Sequence, residues 1–244
     1  DAPISLSPVK LQHRKELMSD LVTYSEEEHY CLLQMDDGKA NAMGFAMMSE
    51  LNAALDRAEE AGKVVVIAGR PGKFSAGFDL AVMANQDQDT LRLLRAGAAL
   101  SRRLLDFATP VVLAVSGHAL AMGALLILSA DYRIGIQGNY KIGLNEVAIG
   151  MTLPWFGVEL ARSRLSKRHF HKAVNLAQIY DADGATEAGY LDEAVPEDEL
   201  LPRATALAQQ LAGLDLQAHR NTKDRTRQEL KLALEEAVER EFAG

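Results

Sequence analysis

The sequence holds one cysteine, Cys31. It therefore has no intramolecular disulfide. Cys31 sits in the apolar run Tyr30-Cys31-Leu32-Leu33, which reads as a buried strand. With no base beside it, its thiol reads as core rather than nucleophile. The six histidines, His13, His29, His118, His169, His171 and His219, show no HExxH or Cys/His ligand spacing. No metal site is predicted. Basic residues are in the minority, and the formal net charge is −8. That argues against a general nucleic-acid binder, which normally shows a basic face. A local basic patch for a phosphorylated cofactor stays compatible with it. No stretch approaches the roughly 20 apolar residues of a transmembrane helix. No signal-peptide apolar region opens the chain, and a cytoplasmic protein is expected. Neither GxGxxG nor a Walker A motif is found, so a nucleotide P-loop is not expected.

What is present suits an ordinary globular protein. The 244 residues suffice for one large domain, or for a domain and a small appendage. Hydrophobic residues make up 48% and charged residues 25%, an ordinary balance for a folded domain. Residues 1–17 differ in character from the segment opening at Met18-Ser19-Asp20-Leu21. They are expected to be an extension outside the fold, with a core over 18–195 and a helical region over 196–244.

The organisation reads as repeated strand–turn–helix units. Residues 20–36 form a hairpin broken at Ser25-Glu26-Glu27-Glu28. A turn at Asp36–Lys39 leads into a helix with Met43, Met47, Leu51, Leu55 and Ala58 on one face, ended by Gly62. Val64–Gly69 and Val111–Val115 are continuous Val/Ile runs, as expected of strands covered on both faces. Each is followed by a small-residue turn and a helix: Phe74–Leu80 after the first, and Ser116–Gly123 before Ala124–Ala130 after the second. Between the copies, Thr90–Phe107 is a helix. A third strand follows at Asp131–Ile136, and a short extended piece at Leu191–Val195. The terminal segment Thr222–Phe242 reads as a charged amphipathic helix with a solvated face.

Turns of this kind bring backbone N–H groups close to a ligand. Glycine allows close approach, and helix N-termini leave donors free. Two such amides can hold an oxyanion, worth about 2.7–4 kcal/mol per donor. From spacing alone, plain tight turns explain the glycines equally well.

The motifs themselves resemble a known family. Phe74-Ser75-Ala76-Gly77-Phe78-Asp79-Leu80 is similar to the FSAGxDL signature of the crotonase (enoyl-CoA hydratase/isomerase) superfamily. Gly117–Gly123 with Asp131-Tyr132-Arg133-Ile134 resembles its second signature, and Asn41-Ala42-Met43 its early motif. Thr186–Asp192 resembles its late A-x-x-x-G-L-V/I-D motif. The resemblance runs over roughly 20–240 and implies an α/β fold, a spiral of repeated ββα units with a C-terminal helical region. It implies an acyl-CoA thioester substrate, coenzyme A as part of that substrate with no separate cofactor, and a homotrimer or dimer of trimers. It places oxyanion donors at the backbone amides of Phe78 and Met122, the latter where a glycine is usual. Lys39, Ala40, Ala42, Ser75, Ala76, Gly77 and Asp79 are expected along the coenzyme A and acyl path. Lys39 and Lys73 are candidate phosphate donors.

One departure bears on the reaction. Hydratases of the family resemble one another in carrying two glutamates. The first position is Leu125 here, and the second is Glu146 in Ile142-Gly143-Leu144-Asn145-Glu146. Leucine can neither accept a proton nor hold a water. The segment looks like that of monofunctional Δ3,Δ2-enoyl-CoA isomerases, in which one glutamate moves the proton. Leu125, Trp155 and Phe156 are expected beside the acyl group. The rival expectations are a hydratase with a relocated acid, another acyl-CoA reaction of the family, and a non-catalytic acyl-CoA binder.

Overall fold

The structure is a computed structural model that describes residues 21–242. The extension expected over 1–17 lies outside the described residues.

The hairpin forms from β1 (Val22–Glu26) and β2 (Tyr30–Met35), paired antiparallel. A short strand β3 (Ala42–Met43) precedes helix α1 (Phe45–Ala61). Met43 therefore belongs to the strand and not to the helix face expected of it. Gly62 ends α1 in the left-handed region at φ 65°, its N–H reaching the carbonyls of Ala58 and Glu59. Then follow β4 (Val64–Ala68), β5 (Gly72–Ser75), β6 (Gly77–Phe78), α2 (Leu80–Met83) and α3 (Gln88–Asp106). Asp87 caps α3, its Oδ1 accepting from Asp89 N at 2.9 Å. The second copy is β7 (Val111–Val115), β8 (Gly117–Leu120) and α4 (Met122–Ser129). β9 (Tyr132–Ile136) and β10 (Ile142–Gly143) open a third. After them come α5 (Trp155–Arg164), α6 (Lys167–Asn175), α7 (Ala182–Ala188), β11 (Glu193–Val195), α8 (Leu200–Ala212) and α9 (Leu216–Phe242).

The expected ββα repeat is present, with one change. Strands β1-β2-β4-β7-β9-β11 make the main sheet, parallel apart from the first pair. The second strands of successive repeats, β5, β8 and β10, form their own parallel sheet in the order β10-β8-β5. Ser116–Gly123, expected as a turn, is therefore strand over Gly117–Leu120, and Met122 already opens α4. The β5–β8 contact needs glycine. A Cβ on Gly117 would lie 2.0 Å from the Gly72 carbonyl carbon.

The continuous Val/Ile runs are buried on both faces, as their sequence implied. Val65, Ile67 and Leu113 face the larger core under α1, α3 and α4. Val64, Val66, Val112 and Ile134 face a smaller one closed by Leu200, Ala204 and Leu207 of α8. The charged helix α9 is not simply solvated. Its Lys223 is buried and bonds Asp131 at 2.7 Å, and Arg227 bonds the other Asp131 oxygen at 2.7 Å.

Candidate active site

Three repeats contribute to one cavity of about 690 Å³. Ala76 and Phe78 come from the β5–β6 corner and Ala121 from the β8–α4 corner. Asn145 and Glu146 come from the segment after β10, and Glu241 from the last turn of α9. Met83, Leu94, Ile149 and Met151 supply apolar wall. No Lys, Arg or His side chain is part of the lining.

The β3–β6 pairing sets Met43 opposite Phe78. On either side of Phe78 the amides are engaged: Gly77 N donates to Ser75 Oγ at 3.2 Å, and Asp79 N to the Met43 carbonyl at 3.4 Å. Successive amides on a strand point to opposite sides, so the Phe78 N–H turns away from β3. Gly77 holds φ 101°, and a Cβ placed on it would lie 3.4 Å from Met122 N. Met122 is the first residue of α4, where helix amides have no intrahelical acceptor. Its side chain is fully buried against Gly97. The residue before it, Ala121, sits at φ 49°, ψ −121°, a conformation costing of order 1–3 kcal/mol. The two corners thus lie against each other, with Phe78 and Ala121 on the cavity lining, Met122 buried just behind Ala121, and strained backbone between strand and helix.

Glu146 stands 6% exposed. Its carbonyl accepts from Ile149 N at 3.1 Å and Met151 N at 2.9 Å, which fixes the backbone of the short 3-10 turn Val147–Ile149. Its Oε2 is buried without a hydrogen-bond partner. Burial pushes its carboxyl up to about 7, against a weaker downward pull from a backbone hydrogen bond. A carboxyl in that range can both take and return a proton near neutrality.

Other expected residues fall into different roles. Asp79 caps α2, its Oδ1 accepting from Ala81 N at 2.9 Å, and does not line the cavity. Ala40 accepts the Ala76 amide at 2.9 Å, and Ala42 pairs with Gly77, so both brace the corner from behind. Lys39 and Lys73 are exposed, and the Lys39 carbonyl is held by Arg70. Ser75 is wholly buried and has no surface to offer a ligand. Leu125 is off the cavity wall. Its methyls pack beside Gly157, because the inward face of α4 is closed by α5. Phe156 is 1% exposed and faces a separate cleft between α3 and α9. Trp155, 47% exposed, lies under the Arg240 guanidinium. Neither aromatic is among the residues lining the cavity, since the α5 start turns them towards α9.

Beyond the apolar wall, Ala121, Asn145 and Glu241 are among the cavity residues that escaped the sequence reading. Ala121 carries no functional group, and its role is visible only in its dihedrals. Asn145 stands beside Glu146 within the quoted motif, and its Oδ1 is buried without a partner. Glu241 lies in a run of exposed charges, and nothing in the sequence marks it. Its Oε2 accepts from Trp155 N at 2.7 Å and so caps α5. Among the described residues no helix is long and apolar enough to cross a membrane. No group of three His, Cys, Asp or Glu among them is placed to hold a metal.

Comparison with known proteins agrees with the fold. A family profile described as enoyl-CoA hydratase/isomerase matches residues 25–243. A crystal structure of an enoyl-CoA hydratase/isomerase family protein from Pseudomonas syringae superposes with a TM-score of 0.89 at 43% identity, covering 91% of this chain and 96% of that one. The human mitochondrial enoyl-CoA delta isomerase 1 is 28% identical over 74% of this chain. The match spans 62% of the human protein's length, a little under two thirds. The 2,3-dehydroadipyl-CoA hydratase of Escherichia coli is 30% identical over 92% of this chain and 88% of its own. Relatives of both reactions thus share the fold. With two small-residue corners, one buried glutamate and a match over nearly its whole described length, the chain belongs to the enoyl-CoA hydratase/isomerase family.

Proposed function

We propose that this protein shifts the double bond of 3-enoyl-CoA to give 2-enoyl-CoA. The observation that carries the reading is Glu146. It is buried in a largely apolar cavity and lifted to about 7. The position where hydratases resemble one another in a first glutamate is the core leucine, Leu125.

Glu146 takes a proton from C2 of the substrate. The C–H electrons form a C1=C2 bond as the carbonyl π electrons move onto the thioester oxygen, giving a dienolate in which C3=C4 is still in place. The Phe78 and Met122 amides stabilise that oxygen. Protonated Glu146 then delivers the proton to C4, completing the 2-enoyl product and restoring the carboxylate. When C4 takes the proton, the C=O reforms and the C1=C2 electrons become the C2=C3 bond. Coenzyme A enters only as part of the substrate. Lys39 and Lys73, exposed near the β5 edge, are the proposed phosphate contacts. The step would bring unsaturated acyl chains into β-oxidation. The family resemblance supports a homotrimer or dimer of trimers, which sedimentation equilibrium would read directly.

A hydratase reading has one observation in its favour. Glu241 places a second carboxylate on the same cavity. Hydration asks for one group to activate water and one to protonate C2. Glu241 Oε2 is already engaged by the Trp155 amide at the α5 N-terminus, so that oxygen is not free to position a water. The test is turnover of 3-enoyl-CoA against hydration of 2-enoyl-CoA, with the wild type and Glu241→Gln. Isomerisation at least tenfold faster than hydration, retained in Glu241→Gln, is expected. Dominant hydration that disappears in Glu241→Gln would establish the hydratase instead.

A further inference from the structure

Ser75 stands between the two corners of the oxyanion wall and touches both. Its Oγ accepts the Gly77 amide at 3.2 Å, one residue before the Phe78 donor. The same hydroxyl donates to the Asn41 carbonyl at 2.7 Å. Its own carbonyl abuts α4 one residue after the Met122 donor: a Cβ on Gly123 would meet Ser75 O at 2.5 Å and Ser75 Cβ at 2.9 Å. Asn41 anchors this contact to the main sheet. It is wholly buried, holds φ 51°, and its Nδ2 donates to Met35 O at 2.9 Å and Phe74 O at 3.2 Å.

We propose that Ser75 is a positioning residue that sets the direction of the Phe78 N–H and the spacing between it and the Met122 N–H. The inference rests on the oxyanion reading above but not on which reaction follows. A hydroxyl with one acceptor and one donor partner locks the Gly77 peptide plane. With that plane held on one side and Asp79 N bonded to the Met43 carbonyl on the other, the Gly77–Phe78 amide between them has a narrowed range of orientations. The missing Cβ at Gly123 lets α4 seat on the Ser75 carbonyl, so the second donor is placed by the same residue. Oxyanion stabilisation depends steeply on donor position, and a removed donor costs about 10²–10³ in kcat. A donor that is retained but loosened should cost less, about tenfold.

The test uses Ser75→Ala and Ser75→Cys in the full chain, with thermal melts as a check on folding. Each variant is assayed on the better of 3-enoyl-CoA and 2-enoyl-CoA. The infrared carbonyl stretch of bound hexanoyl-CoA is recorded in parallel. It reports hydrogen bonding to the thioester oxygen whatever reaction the enzyme performs. Ser75→Ala should lower kcat about tenfold with KM within about twofold. Its bound carbonyl stretch should move back towards the value in water-free solvent. Ser75→Cys, a weaker hydrogen-bonding group of similar shape, should fall between. If Ser75→Ala does not fold, Ser75→Cys carries the comparison. A variant with wild-type kcat and carbonyl stretch overturns the proposal. So does a fall in kcat with an unmoved stretch, because the residue would then act somewhere other than the oxyanion wall. Wild-type turnover of 2-enoyl-CoA with the stretch still sensitive to Ser75 would sink the isomerase assignment and leave this inference standing.

Discussion

Glu146→Gln should lower isomerase kcat by about 10²–10⁴, the usual contribution of a positioned acid/base. The amide keeps the shape of the side chain but cannot accept a proton from C2. Acyl-CoA affinity should stay within a few-fold, because the donors, cavity and phosphate contacts are untouched. Wild-type kcat/KM should rise with pH through about 7 and level off above it, since the base form is the ionised one. The variant's residual activity should lack that step. Retained turnover in Glu146→Gln, measured by the appearance of the conjugated 2-enoyl thioester, would remove Glu146 from the mechanism.

The same raised carboxyl has a consequence for stability. Its folded value is about 7 against 4.5 for the free group. The folded state therefore favours the protonated form. The stabilising contribution is complete below 4.5 and is lost as pH rises through 7. Above that pH, Glu146 costs the fold on the order of 3 kcal/mol relative to the neutral form. Glu146→Gln is neutral at every pH and escapes the loss. Its melting temperature should match the wild type near pH 5 and exceed it at pH 8. A constant difference across that range would contradict the burial assigned to this group.

Asp131→Ala should be the most damaging change outside the cavity. Asp131 joins the start of β9 to the terminal helix. Its carboxylate meets Lys223 and Arg227 at 2.7 Å each and accepts the Val111 amide at 2.8 Å. Both cations are anchored further, Lys223 on the Phe107 carbonyl at 3.0 Å and Arg227 on that of Leu105 at 2.8 Å. Removing one partner of a buried pair leaves uncompensated charge, typically a loss of 3–5 kcal/mol. At about 2–4 °C per kcal/mol for a chain of this size, the melt should drop by roughly 10 °C. Adding Lys223→Met should recover part of the loss, because it removes the stranded charge. A melt unchanged in Asp131→Ala would show that the ion pair contributes nothing net. The kcat of the folded fraction should be near wild type, since none of these groups lines the cavity.

Much of this molecule could be read from local pattern. The Val/Ile runs at 64–68 and 111–115 announced strands buried on both faces, and Gly62 announced a helix end. Ala76, Phe78 and Glu146 fall on the cavity because motif and backbone turn coincide at those positions. The errors share a cause. Whether a side chain faces the cavity or the core depends on which helix packs over it, and no local period encodes that. Leu125 is turned away by α5, and Trp155 and Phe156 face α9, in each case an element distant in sequence. Glu241 enters the cavity for the same reason, and Lys223 becomes buried although its neighbours are exposed.

The sequence by itself determined the repeat, the two glycine corners and the position of the glutamate proposed as proton carrier. Those depend on short-range rules: alternation, turn chemistry, and which side chain can bear a proton. Only the tertiary structure decided the strength of that carrier and the company it keeps. A glutamate reaches a pKa near 7 through the water that surrounding elements exclude. The two corners that carry the proposed amide pair meet only because separate repeats are pressed against one buried serine.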